Sequence, residues 1–491
     1  MLDLSKKGSR RALFFYLGIM CLVLLVQSTL LIRTRWVEDE NWLGSGSWAL
    51  VQEGRLRMPI FPADPRYEVD VSVPVHHAGV AAAFAVFGLG VAQARATSAI
   101  AGLATLVIVF FLGLELGGPY CALFTGWLLA GDTFLVIASR TARPEAYSVA
   151  FCWLALLVYL RAIRRESGAG VLASGLILGV AAVNHPLALP FILAIGIFLL
   201  ARYGWAFWRR IPAWSFALGV LLPIAVYAAW CFSDAAHIAC FKNVYLDRAG
   251  DPMLARILNE PNRWADFIGL GSQRVATGIR LPVRLHIVLI LVAAFWYLFR
   301  TRRSLFAAAA TLLALNLLWW IYLVNKGPRY IVMLSPLFAL VLGWVISQSR
   351  GTSWRKAALA VFALVMATQL ASNTYWIYKY RHADYPALAA RLRRVVPANA
   401  SVYGATTFWL ALHDRTYYAY DRTPWDFALQ KLRPEYLILN DRVMAHGSGQ
   451  GSDDFADLRS NLTDFVRTHG TVAGLVPDDF YGDLEIYRVT Y

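Results

Sequence analysis

Residues 96–138 read ATSAIAGLATLVIVFFLGLELGGPYCALFTGWLLAGDTFLVIA, two apolar blocks separated by a short turn sequence around Gly117 and Gly118. Each block has the roughly 20 apolar residues that a helix needs to cross the hydrocarbon core of a bilayer. The whole chain has this character, because 58% of its 491 residues are hydrophobic and only 16% are charged. Soluble domains carry about 25% charged residues. The sequence therefore predicts a polytopic α-helical membrane protein.

Eleven apolar segments are predicted to cross the membrane. They are residues 13–33, 96–114, 119–138, 145–160, 170–183, 186–201, 212–231, 282–299, 305–324, 329–347 and 356–376. The first follows a basic N-terminus, as in a signal peptide, but its apolar run is too long for a typical signal core, so we predict a retained helix. Segment 77–92 is apolar but short and rich in Ala and Gly, and we predict a re-entrant or interfacial helix there.

The basic residues set the predicted orientation, because cytoplasmic loops of membrane proteins carry an excess of Lys and Arg. With eleven crossings and a cytoplasmic N-terminus, the strongly basic segments all fall on the cytoplasmic side. A further crossing at 77–92 would separate the N-terminal cluster from the later ones. The basic segments contain Lys6, Lys7, Arg10, Arg11, Arg161, Arg164, Arg165, Arg202, Arg209, Arg210, Arg300, Arg302, Arg303, Arg350, Arg355 and Lys356. The net charge of +15 therefore comes largely from basic residues at the ends of the apolar segments, where they set the orientation. For this reason no nucleic-acid partner is predicted.

The same topology divides the chain into a transmembrane domain, residues 1–376, and an extracytoplasmic tail, residues 377–491. Within the first domain, loop 34–95 and a gate loop, 232–281, lie on the outer side. The tail mixes polar residues with Pro and Gly and is predicted to be a small periplasmic α/β domain. Its predicted strands are Ser401–Gly404, Glu435–Asn440 and Asp483–Val489, and its predicted helices are Tyr385–Val395 and Phe455–Thr468.

The first outer loop opens with EDENW at residues 38–42, three carboxylates directly after a membrane exit. Clustered acids beside a low-dielectric region are suited to general-base chemistry. They equally suit the solvated start of a helix, where acids favour the N-terminal dipole. The sequence alone leaves both interpretations open.

The loop SRTARPE, residues 139–145, carries two arginines on the outer side, where the orientation rule disfavours cations. An anionic ligand would explain them, since the guanidinium fork of Arg140 or Arg143 matches a phosphate. The alternative is that the loop has only a structural role, in which Pro144 and Glu145 begin the next helix and the Glu145 charge favours the helix dipole. We interpret the loop as part of an anion site.

The loop NKGPRY, residues 325–330, places two more cations on the outer side. Lys326 and Arg329 are candidates for phosphate binding, and the alternative is that they extend to lipid headgroups. Both interpretations remain open on sequence grounds.

Several isolated residues complete the candidate set. His76 and His77 are neighbours that face apart on a helix, so local structure or substrate contact is expected rather than metal binding. Asp132 lies within the third predicted span and is either functional or bonded to a neighbouring helix. Lys242 in the gate loop could reach an anionic or sugar group. The stretch GSGS at 44–47 is not a nucleotide loop, because it follows no strand and lacks the Walker lysine.

These motifs, in this order, resemble the GT-C superfamily of membrane glycosyltransferases. They are most similar to the family that contains protein O-mannosyltransferases and lipid A aminoarabinose transferases. The resemblance covers residues 1 to about 350 and includes the tail only loosely. Residues 76–79, His-His-Ala-Gly, depart from the His-Pro-Pro-Leu type of turn that family members often carry. The resembling segments are Asp39–Trp42, Gln52–Leu56, Arg95–Ser98, Arg140–Glu145 and Arg329–Tyr330 with Pro336.

The resemblance implies a polyprenyl-phosphate sugar donor, such as an undecaprenyl-phosphate-linked sugar, with its lipid in the bilayer and its sugar in an outer cavity. Asp39 would be the general base that deprotonates an acceptor hydroxyl, and Glu40 and Glu145 would orient the acceptor or the base. The residues implied for the donor phosphate are Arg95, Arg140, Arg143, Lys326, Arg329 and Tyr330. Beside these implied roles, Trp42, His76, His77 and Lys242 are candidate substrate contacts.

No cofactor is required by this implied mechanism, although the acidic first loop could hold a divalent metal. The five cysteines contain no Cys-x-x-Cys pair, so no metal knuckle is predicted. The acceptor would be a glycolipid, a polysaccharide or a protein, and the location would be the inner membrane of a bacterium. Two other functions are weighed: a transporter or flippase of lipid-linked saccharides, and a membrane-anchored scaffold whose tail binds a periplasmic partner.

Overall fold

The computed structural model describes residues 7–30, 38–62, 69–242, 253–255, 257–258, 260–261, 285–322, 328–420, 423–440 and 452–491. The first ten labelled helices are α1 Lys7–Leu30, α2 Glu38–Glu53, α3 Pro74–Phe87, α4 Val91–Ala130, α5 Thr133–Ser139, α6 Pro144–Arg164, α7 Gly168–Asn184, α8 Leu189–Tyr203, α9 Ile211–Cys231 and α10 Ala235–Phe241. The later helices are α11 Leu285–Thr301, α12 Arg303–Tyr322, α13 Ser335–Gln348, α14 Arg355–Lys379, α15 Tyr385–Val395 and α16 Ser452–His469.

The helices confirm the polytopic α-helical membrane fold. Within the described ranges, seven are long and apolar enough to cross a membrane, and four shorter apolar helices accompany them. Every predicted span overlaps one of the helices, and two spans share α4. The number of eleven crossings stays a prediction.

Helix α4 is two helices joined at Gly118, whose φ of 77° lies in the left-handed region that favours glycine. At this turn Glu115 Oε1 accepts a hydrogen bond from Arg161 Nε at 3.0 Å. The guanidinium of Arg350 also lies 3.5 Å from the ring centroid of Tyr120. The turn at Gly118 has no Lys or Arg of its own, but it contacts the basic segments that contain Arg161 and Arg350. These contacts are expected if the turn and both basic segments lie on the predicted cytoplasmic side.

Helix α3 is shorter than the hydrocarbon core of a bilayer is thick. Its 14 residues span about 21 Å at 1.5 Å per residue, whereas the hydrocarbon core is about 30 Å thick. It begins at Pro74, ends before Gly88 and packs against α2, α4 and α7. That the segment near 77–92 is a re-entrant or interfacial helix stays a prediction.

Polar side chains join α1, α5 and α14 inside the helical bundle. The Asp132 carboxylate caps α5 by accepting from Leu135 N at 2.8 Å, and it also accepts from Gln369 Nε2 at 3.4 Å. Asn373 Nδ2 donates to Gln27 Oε1 at 2.7 Å. Of the two interpretations of Asp132, the structure supports the bond to a neighbouring helix.

The tail forms the small α/β unit that its sequence predicts. Its sheet has the order β2-β1-β3-β5-β4, in which β1 pairs in parallel with β2 and β3, and β5 pairs antiparallel with β3 and β4. The strands are β1 Ser401–Gly404, β2 Thr416–Ala419, β3 Tyr436–Leu439, β4 Gly470–Val476 and β5 Leu484–Val489. Strands β2 and β4 were not among the predicted strands.

The tail and the first outer loop share one hydrophobic core. Met58, Ile60 and Phe61 of the loop pack in the same cluster as Phe408 of the tail. The backbone continues the contact, because Ala419 N donates to Ile60 O at 2.9 Å. The tail is therefore packed directly onto the loop that carries the acidic motif.

We predict that Phe408→Ala lowers the stability of the purified protein in detergent by about 3–5 kcal/mol, because a fully buried ring is replaced by a cavity. Phe427→Ala is the matched control, since that ring is 36% exposed. The midpoints of thermal unfolding of the two variants measure the difference. Equal midpoints would contradict a tight core at this position.

Candidate functional site

Glu40 and Arg95 form a fully buried ion pair between α2 and the first turns of α4. Arg95 Nε donates to Glu40 Oε1 at 2.9 Å, and Arg95 Nη2 donates to Glu40 Oε2 at 2.7 Å. Both side chains are 0% exposed. Two parallel bonds of this kind fix the orientation of both groups, so the pair sets the angle between α2 and α4.

The same carboxylate also connects α2 to the loop that precedes α6. Ala142 N donates to Glu40 Oε1 at 2.6 Å. Ala142 lies between the two arginines of the segment at 139–145. The acidic motif of the first loop and this arginine loop are therefore in direct contact on one side of the bundle.

Arg140 lies close to the Glu40–Arg95 pair and is only 3% exposed. Burial, with added repulsion from the charge of Arg95, lowers the pKa of Arg140 to about 10, while Glu40 and Tyr380 act in the opposite direction. Arg140 thus remains a cation at neutral pH inside the protein. Tyr380 follows the last residue of α14, so the beginning of the tail also lies close to Arg140.

Arg143 and Glu145 form a second pair in this loop. Arg143 Nη2 donates to Glu145 Oε1 at 3.0 Å, and its Nε lies 3.2 Å from each carboxylate oxygen. Pro144 begins α6, so Glu145 also lies in the first turn of that helix, where its charge suits the dipole. The structure therefore contains both the ion pair and the helix-start arrangement.

Asn184 holds the start of α3 against α6. Its Oδ1 accepts from His76 N at 2.9 Å, and its Nδ2 donates to Pro144 O at 3.3 Å and to Ser148 Oγ at 3.2 Å. These bonds place His76 beside the Arg143 loop. The sequence predicts a tight outer turn at Asn184-His185-Pro186, and this pattern gives no sign of the three contacts.

The imidazole ring of His76 is fully buried, and its centroid is 5.4 Å from that of the Tyr147 ring. Burial, followed by the charge of His77, lowers the pKa of His76 well below its usual range. Its ring is therefore neutral at physiological pH. Within the part of the chain that the structure describes, neither ring nitrogen has a hydrogen-bond partner.

His77 faces away from His76 and bonds other groups. Its Nε2 lies 2.8 Å from Asp70 Oδ2 and its Nδ1 lies 2.9 Å from Ser47 Oγ. Asp70 and Ser47 were not candidates from sequence. The only local signal for Asp70 is Ser72 two residues later, a spacing typical of an Asx turn.

The other candidates lie at different positions around this site. Trp42 is half-buried, Tyr330 is buried with its ring centroid 5.9 Å from that of His185, and Lys242 is exposed after α10. Lys326 and the side chains of Asp39 and Arg329 lie outside the described residues.

No group of three or more His, Cys, Asp and Glu side chains suitable for a metal ion occurs among the residues that the structure describes. The prediction that no metal is required, with a divalent metal as an option at the first loop, stays a prediction.

The comparisons with known proteins place this arrangement in a wider context. The dolichyl-phosphate-mannose-protein mannosyltransferase family matches residues 71–230, which contain α3, Arg95 and the loop at 139–145. ArnT from Cupriavidus metallidurans in the apo state superposes with a TM-score of 0.65 at 14% identity, covering 98% of this chain and 98% of that chain. The chain has the GT-C fold.

Two further solved structures support this assignment. ArnT from Cupriavidus metallidurans bound to undecaprenyl phosphate gives a TM-score of 0.63 at 16% identity, with 97% of this chain and 98% of that chain covered. The archaeal oligosaccharyltransferase AglB from Archaeoglobus fulgidus, in complex with an inhibitory peptide and a dolichol-phosphate, gives 0.57 at 14% identity, covering 99% of this chain and 75% of that chain. No curated protein matches the chain in sequence.

We predict that Arg95→Met lowers the stability of the protein by about 3–5 kcal/mol, because it leaves the Glu40 carboxylate buried without its guanidinium partner. Adding Glu40→Gln to the same chain should restore part of the loss. Denaturant unfolding of both single variants and the double variant measures the coupling.

Arg57→Met is the matched control for Arg95→Met. It breaks the Glu53–Arg57 pair, whose side chains are 38% and 41% exposed, and should cost no more than about 1 kcal/mol. Equal losses for the Arg57 and Arg95 variants would contradict the buried pair.

Proposed function

We propose that the chain is a glycosyltransferase that moves a sugar from a polyprenyl-phosphate-linked donor to an acceptor hydroxyl. One observation carries this proposal. The hydrogen bond from Ala142 N to Glu40 Oε1 joins α2, the helix that contains Asp39 and Glu40, to the loop that contains Arg140 and Arg143. The agreement in fold over 98% of the chain with ArnT supports the same function.

In the proposed reaction Asp39 accepts the proton of the acceptor hydroxyl. The acceptor oxygen then forms a bond to the anomeric carbon of the sugar, while the bond from that carbon to the donor phosphate breaks. The lipid phosphate leaves with the electron pair. Asp39 directly precedes Glu40 in the first turn of α2, so the bonds made by Glu40 fix the backbone from which the proposed base projects.

The charge that develops on the leaving phosphate is assigned to Arg140 and Arg143, together with Lys326 and Arg329. Preorganised cations in a water-poor site are effective at stabilising such charge. Arg95 has a different part in this proposal, because its Nε and Nη2 are bonded to Glu40. Arg95 and Glu40 are therefore proposed as positioning residues.

His76 is proposed as a contact to the sugar. A neutral imidazole offers one N–H donor and one acceptor nitrogen, which matches the hydroxyl groups of a carbohydrate. A buried polar group without a partner costs about 1–3 kcal/mol, and a bound substrate would supply the missing bonds. The buried ring beside Arg143 and Glu145 supports this assignment.

The proposed location is a bacterial inner membrane, with the N-terminus in the cytoplasm and the tail in the periplasm. This follows from the distribution of basic loops. It is supported by the contacts of the Gly118 turn with Arg161 and Arg350 on the opposite side from the site.

We predict that Asp39→Asn reduces sugar transfer by about 10²–10⁴-fold, the usual contribution of a general base. The assay uses purified protein in detergent, an undecaprenyl-phosphate-linked sugar, a bacterial envelope extract as the source of the acceptor hydroxyl, and detection of released undecaprenyl phosphate by mass spectrometry. Asp464→Asn is the control, since that carboxylate is exposed on α16. A transporter or a scaffold would release no undecaprenyl phosphate in the absence of a membrane gradient, and full activity of Asp39→Asn would remove Asp39 from the mechanism.

The acceptor and the sugar are identified by a second experiment. A strain that lacks the protein should lose one sugar modification from its envelope glycolipids, polysaccharides or proteins, and the wild-type gene should restore it. Mass spectrometry of the envelope glycans measures the loss. Restoration by the Asp39→Asn gene as well would favour a scaffold role.

A further inference from the structure

The small residues at 44–47, Gly-Ser-Gly-Ser, lie inside α2, and the His77 ring packs against this segment at Gly46 and Ser47. A Cβ atom built on Gly46 would lie 3.1 Å from Cε1 of His77. Any larger residue at this position would therefore displace the ring by a few tenths of an ångström. This close approach gives a physical reason for a glycine in the middle of a helix, where it otherwise costs about 1 kcal/mol relative to Ala.

A chain of hydrogen bonds runs through this contact from Asp70 to α2. His77 Nε2 lies 2.8 Å from Asp70 Oδ2, and His77 Nδ1 lies 2.9 Å from Ser47 Oγ. All three residues are 0% exposed. Ser47 Oγ also donates to Leu43 O at 2.9 Å. With that hydrogen used, Ser47 Oγ accepts from His77 Nδ1, and the other ring nitrogen of His77 is bonded to Asp70.

Asp70 is itself fixed to the rest of the protein. Its Oδ1 accepts from Ser72 N at 2.8 Å and from Ser72 Oγ at 2.6 Å, and its own N–H donates to Leu56 O at 2.8 Å. The next residue is held by α9, because Tyr227 OH donates to Val71 O at 2.8 Å. The chain of bonds therefore links α2 to a firmly held segment.

Ser47 and Glu40 lie on the same face of α2. Seven residues make almost two helical turns, so the two side chains are about 10 Å apart along the axis and point in nearly the same direction. Glu40 is held by Arg95 and Ser47 is held by His77. Two contacts at this separation restrain both the rotation and the sliding of the helix.

We propose that Asp70, His77 and Ser47 are positioning residues that hold α2 in the orientation required for sugar transfer. This inference rests on the proposed function, in which the base Asp39 projects from that helix. It assigns His77 a different role from the substrate contact that the sequence suggests, because both of its ring nitrogens are bonded within the protein.

The test compares Ser47→Ala with Ser45→Ala. Both serines lie on α2 and are 0% exposed, but Ser45 Oγ donates within the helix to Trp42 O at 2.8 Å. Ser47→Ala should lower kcat by about 10- to 100-fold, the scale expected from a small misplacement of a catalytic group. The KM for the donor should change by no more than about twofold, since no donor contact is removed. Ser45→Ala should behave as wild type.

Two substitutions at His77 separate its two bonds. In His77→Asn the amide takes the place of Nδ1 and keeps the bond to Ser47, while His77→Gln extends to the place of Nε2 and keeps the bond to Asp70. Because only the Ser47 bond reaches α2, His77→Asn should retain more kcat than His77→Gln. The opposite order, or a raised KM with unchanged kcat in either variant, would overturn the proposal.

Hydrogen exchange of the α2 amides tests the restraint without any activity assay. Exchange should be about tenfold faster in Ser47→Ala than in Ser45→Ala, because one of the hydrogen-bonded contacts that hold the helix is lost. Equal exchange rates, or equal kcat for the two serine variants, would overturn the inference. A wild-type protein that transfers no sugar would defeat the proposed function, and the exchange rates would still decide whether this contact holds α2.

Discussion

The carboxylate of Glu40 is buried at 0% exposure, and its negative charge has to be balanced inside the protein. Arg95 supplies the opposite charge through two bonds, and Ala142 N supplies a third donor. These residues come from three segments that are far apart in the sequence. The requirement to satisfy one carboxylate therefore determines where α2, the start of α4 and the arginine loop lie relative to one another, and the candidate site is formed between them.

The membrane part of the fold was predictable because long apolar blocks have one stable solution in a bilayer, which is the helix. The tail was predictable where apolar residues dominate, as in Tyr436–Leu439, which is buried at every position. Strand β4, Gly470–Val476, was missed because it has two glycines and mostly exposed positions, and such a strand shows no apolar alternation. Strand β2 has only four residues, and its pairing with β1 depends on contacts beyond its own sequence.

The residue types of the site were predictable, but their partners were not. The sequence indicated carboxylates and arginines on one side of the membrane, and the structure brings Glu40 together with Arg95 and Arg143 together with Glu145. The pairing of Glu40 with Arg95, 55 residues away, depends on tertiary distances that no local pattern encodes. His76 and His77 show the same limit, because two identical neighbours have opposite environments, one without partners among the described residues and one bonded on both nitrogens.

The common core of the first outer loop and the tail has a consequence for biogenesis. Met58, Ile60 and Phe61 leave the ribosome early, whereas their packing partner Phe408 is made more than 300 residues later. At a translation rate of about 5–20 residues per second, the loop waits tens of seconds with its apolar surface uncovered. The part of the molecule formed by this loop and the tail therefore completes its packing only after the tail has been synthesised, and a chain that stops before the tail leaves these apolar side chains uncovered.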